Sequence, residues 1–258
     1  MSPLLITSLI VVVVVALFGI GYINHMMESS KLEKARLKAD LSDRLRRCAE
    51  VSDSLPGQLM SPALKLMLTR LLMQLSERMA LVDKGNAALQ ARLQELRAEV
   101  AKGDAITVGN LVQPVLSEAK AKEVRFLLET LHGQLGRAVK DGFLQPIEAK
   151  SWAKELRHML VYLHVEFFTN MGQQLLMQKQ PRQARLSFER GVQYLRKQPE
   201  PGHYQKQLSQ LQAHLEKATA LVMEDNANPE DEENSQLNDG LKELTEEEDI
   251  WRKKNFYE

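Results

Sequence analysis

Residues Leu4 to Ile23 read LLITSLIVVVVVALFGIGYI, twenty residues without a charge, and no other stretch constrains the chain as tightly. At 1.5 Å per residue a helix of this length matches a hydrocarbon core of about 30 Å. A core helix of a globular protein is rarely apolar on every side. A cleaved secretory signal calls for a basic leader and a small-residue cleavage site, whereas only Met1, Ser2 and Pro3 precede the run and no clean site follows it. The expectation is a single membrane-spanning anchor over 1–25. Lys31, Lys34, Arg36, Lys38, Arg44, Arg46 and Arg47 all follow the run and none precedes it. The positive-inside rule then directs the C-terminal body to the cytoplasm and leaves the N-terminus outside. With the compact architecture, this points to a bacterial inner membrane. The basic cluster is interspersed with Glu28, Glu33, Asp40 and Asp43, which reads as a topology signal on a solvated helix, with attraction to anionic headgroups as the alternative. No nucleic-acid partner is needed to explain it.

Outside the anchor, aromatics make up only 5% of the chain, and Leu, Ala, Gln, Glu, Lys and Arg dominate, so long helices and very little strand are expected. The fold class is all-α. The formal charge of zero hides a polarity, because Glu224 to Asp249 holds twelve acidic residues against the single base Lys242. The body is therefore basic and the tail acidic.

Breaks in the apolar periodicity divide the body. Residues 26–54 contain no Gly or Pro and form a basic juxtamembrane helix, its apolar positions being Leu32, Ala35, Leu37, Ala39, Leu41, Leu45 and Ala49. Pro56 and Gly57 end it, and Ser61 followed by Pro62 is a capping residue with proline in the first helical turn. A helical hairpin is expected over 61–103. Its first helix presents Leu64, Leu68, Leu71, Leu72, Leu75, Met79 and Val82, and Met67 and Met73 fill gaps among the leucines. Its second carries Leu89, Leu93, Leu96 and Val100, a short coiled-coil-like seam that packs back on its neighbour or forms a homodimer. Residues 104–114 form a linker. The domain at 115–223 begins with a helix from about Ser117 to Val139. Helices follow from Pro146 to about Gln178, with Gly172 as a weak point, from Pro181 to about Lys197, and from Tyr204 to Met223.

Within that domain, Phe168, Met171, Gly172, Leu175, Ala184, Phe188 and Gly191 alternate bulky with small residues across two helices. In this spacing residues 165–199 resemble a tetratricopeptide repeat, the 34-residue helix-turn-helix unit of protein-binding solenoids. The sequence departs from the pattern at Lys179, where a turn glycine is common, and at Arg196, where a closing proline is expected and Pro199 arrives three residues late. Leu131, Leu135, Gly136, Val139, Ala149 and Ala153 imitate the pattern loosely upstream, and Tyr204 to Met223 would cap it. The resemblance implies a small divergent repeat-like domain that binds a partner rather than performing chemistry.

Residues 224–249 have the composition of a disordered segment. The peptide 250–258 differs, setting Trp251, Phe256 and Tyr257 around Arg252, Lys253 and Lys254. These three aromatics are the candidate partner-binding residues, in trans or folded back on the body. No catalytic, cofactor or metal residues emerge. His158 and His164 lie six apart and so on different sides of a helix, the other four histidines are scattered, and no phosphate-binding glycine motif occurs. Cys48, the only cysteine, has Arg46 and Arg47 beside it in sequence, which would favour its thiolate, but no evident catalytic partner. The functional expectation is a membrane-anchored cytoplasmic adaptor or scaffold for a protein partner. The alternatives are an auxiliary subunit of a membrane enzyme or transport complex, or a hydrolase with an unfamiliar site.

Overall fold

A computed structural model describes residues 3–225, with residues 3–24 described as helical backbone alone. The described residues form seven α-helices, joined by turns, short 3₁₀ segments and, between α3 and α4, an irregular stretch over 106–116; no strand occurs among them. They are α1 (Pro3–Ser54), α2 (Pro62–Val82), α3 (Ala87–Ala101), α4 (Glu118–Lys140), α5 (Pro146–Met177), α6 (Pro181–Arg196) and α7 (Gln205–Asp225). The chain divides into two compact units, one of residues up to Val112 with Glu129–Trp152, the other of Gln113–Leu128 with Ala153 onward. Both α4 and α5 thus contribute residues to each unit. Among the described residues no helix is long and apolar enough to cross a membrane; the apolar run Leu4–Ile23 lies outside the residues described with side chains.

In the first unit, residues 25–40 of α1 are exposed on every side, including Leu32 and Leu37, so the expected apolar face begins only at Leu41. From there Leu41, Arg44, Cys48, Val51 and Leu55 recur at helical spacing and are all buried. Leu41 and Cys48 meet Leu72, Leu75 and Met79 of α2 and Leu96 of α3. The helix α2 is buried on more than one face, Leu66 and Met67 being covered as well as Leu64, Leu68 and Leu71. Leu93 and Leu96 turn the α3 seam inward onto α2, and Arg97 bonds Glu77 across the pair at 2.8 Å.

Arg44 corrects the sequence reading. Instead of being a solvated topology charge it is buried, its Nη1 2.5 Å from Asp141. Asp141 also lies 3.3 Å from Arg78, whose guanidinium sits 5.4 Å from the centre of the Phe143 ring. Asp141 occupies the turn after α4, where Gly142 at φ 75° allows Phe143 N–H to reach Ala138 O at 2.8 Å, closing a Schellman motif.

The segment expected to be a plain linker is a strap that completes the end of α1. Asn110 Nδ2 donates to Ser52 O at 3.0 Å and Leu55 O at 2.8 Å, and Lys65 Nζ donates to Ser52 O at 2.9 Å. These donors satisfy carbonyls that a helix C-terminus leaves open. The strap is pinned by Gly57 N–H on Leu111 O at 2.9 Å. A Cβ on Gly57 would collide with the Asn110 carbonyl and lie 3.1 Å from Leu111 C, both backbone atoms that cannot swing aside.

Gly57→Ala should therefore lower stability by about 1–3 kcal/mol, as overpacking does, measured by urea denaturation of the chain in neutral detergent. Unchanged stability would mean the strap does not lie against α1.

Candidate partner-binding site

The second unit is organised by one aromatic ring. Phe188 of α6 is fully buried, Gly172 of α5 lies against its ring, and His214 of α7 stacks on it at 5.3 Å with 17° between the planes. A Cβ on Gly172 would overlap the ring carbons. One turn on, Gly191 fits between Leu211 and Phe168, where a Cβ would stand 3.1 Å from Leu211 Cδ1 and 3.2 Å from Phe168 Cβ. Ala184 is fully buried, and Ser187 Oγ donates to Phe168 O at 3.0 Å, tying α6 to α5 through the backbone. Small residues let the helices approach while Phe168, Leu175 and Phe188 fill the space between them. Met171, by contrast, is only partly buried.

The α5–α6 turn shows why the usual glycine is dispensable. Lys179 adopts φ 58°, the left-handed conformation, with Gln180 N–H on Leu175 O at 2.9 Å and Lys179 N–H on Leu176 O at 3.1 Å. This is again a Schellman closure, but built on a residue whose Cβ is disfavoured there.

Two groups of polar and aromatic residues complete the unit. His164 is buried with its Nδ1 2.8 Å from Leu160 O and its ring 5.2 Å from Tyr194. Burial, with Arg125 nearby, pushes its pKa down to about 4, so it is neutral at pH 7. His158 lies elsewhere on α5, sharing a 2.5 Å hydrogen bond with Tyr204 Oη, with the His203 ring 5.4 Å away. Tyr162 meets Tyr204 edge-on at 5.8 Å, and Lys154 and His203 both contact Glu200. Burial pushes the Tyr204 hydroxyl up to about 12. These contacts anchor the 3₁₀ turn Pro201–Tyr204 and so fix where α7 starts. The histidines looked scattered in sequence; only the return of the chain brings His203 to His158, and no local pattern marks that return.

Among the described residues no group of three or more His, Cys, Asp or Glu side chains could hold a metal ion. Cys48 is buried in the first unit, and burial pushes its thiol up to about 11, against the favouring of the thiolate that Arg46 and Arg47 suggested. Those two arginines instead pair with Asp43, at 3.0 and 2.7 Å. The candidate binding residues Trp251, Phe256 and Tyr257 lie outside the described residues. No family model, curated protein or solved structure matches the chain.

The turn and the crossing respond oppositely to substitution. Lys179→Gly should stabilise the chain by about 0.5–1 kcal/mol by relieving the left-handed strain. Gly172→Ala, which drives a Cβ into Phe188, should destabilise it by about 1–3 kcal/mol. Denaturant midpoints of the two variants check both signs.

His164 adds a pH dependence. Its folded pKa lies below the unfolded value near 6.5, so the unfolded chain binds the proton more readily and stability falls as pH drops from about 6.5 towards 4. The loss approaches about 3 kcal/mol at the lower end. Asp43, Asp83 and Glu200, whose partners hold them below the usual carboxylate range, lose their contributions lower still. Melting from pH 7 to 4.5 should show the decline, and His164→Asn should flatten it.

Proposed function

We propose that this chain is a membrane-anchored helical adaptor, in which Leu4–Ile23 fixes the location and the α5–α6–α7 bundle with the C-terminal peptide binds a protein partner in the cytoplasm. The observation that carries the reading is the seating of Phe188 between Gly172 and His214, with Gly191 beside it, since it is the close helical crossing that a repeat-like unit needs. The bundle leaves Met177 83% and Met223 70% exposed on its surface, apolar side chains of the kind that partner interfaces cover. Location is supported by the uncharged twenty-residue run and the bases that follow it. Trp251, Phe256 and Tyr257 would supply anchors, because buried aromatics dominate many interfaces.

Deleting Ile250–Glu258 should leave membrane insertion and thermal stability unchanged. It should weaken one specific cross-link to a partner in membranes by roughly tenfold or more, as loss of a hot spot worth about 2 kcal/mol does. A fall in melting temperature would instead make the peptide part of the chain's own fold. A reporter after Glu258 should behave as cytoplasmic, and periplasmic activity would overturn the orientation.

A further inference from the structure

Six bases lie along one short stretch, Lys179, Arg182, Arg185, Arg190, Arg196 and Lys197, with Glu189 as the only acid among them. The inner faces of α6 are occupied, one by Phe168 and Gly172, the other by Leu211 and His214. The charges that remain outward are mostly basic: Arg182, Arg196 and Lys197 are exposed beside Leu186 and Gln193, and Glu189 is engaged by Gln193 Nε2 at 3.2 Å. Arg185 and Arg190 are half-buried at the edges of this face, with Arg185 Nε covered.

The path of the chain places an acidic segment at this face. Phe188 meets His214 and the later Gly191 meets the earlier Leu211, so α7 runs antiparallel to α6. Its last residues, Leu221 to Asp225, consequently come alongside the first turn of α6, next to Lys179 and Arg182. From Asp225 the chain enters residues 226–249, with ten acids and the single base Lys242.

We propose that residues 226–249 dock in cis along the basic outer face of α6. Sixteen residues of α6 measure about 24 Å, and a 24-residue segment spans about 25–30 Å on average, so the tail reaches the whole face from its point of departure. Tethering holds it there at millimolar effective concentration, which turns individually weak exposed charge pairs into sustained occupancy. A partner with an acidic surface must then displace the tail to reach α6. The docking needs only the tail's carboxylates and α6, not the aromatic peptide, so it stands or falls apart from the adaptor role.

Carbodiimide coupling of the full chain in neutral detergent tests this, since it joins carboxylates to lysine amines only in direct contact. The expected products join Glu or Asp of 230–249 to Lys179 and Lys197. Their yield should fall about threefold or more in 1 M NaCl, where the Debye length shrinks to about 3 Å, and likewise in Arg182→Gln/Arg196→Gln. Those exposed sites leave the packed faces intact, and the salt series on the unaltered chain decides the matter even if the variant misfolds. Products at Lys31, Lys34 or Lys38 instead, or no tail products, would overturn the proposal. So would products found only between ¹⁴N- and ¹⁵N-labelled copies, which would make the occupant a second copy's tail.

Discussion

The first unit is organised around an ion pair between the buried Arg44 and the partly exposed Asp141, 2.5 Å apart. Withdrawing the Arg44 charge from water carries a cost that its attraction to Asp141 and further polar contacts must offset. Here Arg78 supplies a second cation to Asp141, and Asp40, one turn earlier on α1, stands 3.9 Å from Arg44. The pair thereby ties α1 to the turn after α4, and Arg78 of α2 joins it there.

That pair also defines what was legible in the sequence. Helix starts at Ser61–Pro62, Pro146 and Pro181 were readable because a capping hydroxyl and a fixed φ act within one turn of chain; Ser61 Oγ indeed accepts from Leu64 N–H at 3.1 Å. The all-α class followed from composition by the same local logic. Arg44 was not readable, since it differs from Arg46 and Arg47 only in the face it occupies, and Asp141 lies almost a hundred residues away. The role of 106–112 as a strap was hidden for a related reason: Asn110 looks like any loop residue until the end of α1 is placed beside it.

The candidate site divides similarly. Phe168, Gly172, Ala184, Phe188 and Gly191 stood out through an alternation of large and small residues, which a close crossing needs and which is written in the sequence. The Lys179 turn ran the other way. A missing glycine counted against the pattern, yet the hydrogen bonds from Gln180 and Lys179 hold the left-handed conformation without it. Local preference of about 1 kcal/mol was outweighed by a closure that two backbone bonds enforce.

The charge on α6 follows from its position between two neighbours. A helix packed on α5 and α7 at once commits Ala184, Ser187, Phe188, Gly191, Val192 and Leu195 to contacts, leaving a narrow outward strip for every charged residue. The bases gathered there outnumber the one acid of the helix, Glu189. Their repulsion is tolerable in water and screened by salt, but it leaves a surface whose stability rises when an anion covers it. The small residues that close the bundle and the arginines that face outward are thus two consequences of one arrangement. Packing α6 tightly on both sides gathers its charge on one outward strip, where five bases of α6 and its C-cap outnumber the single acid Glu189.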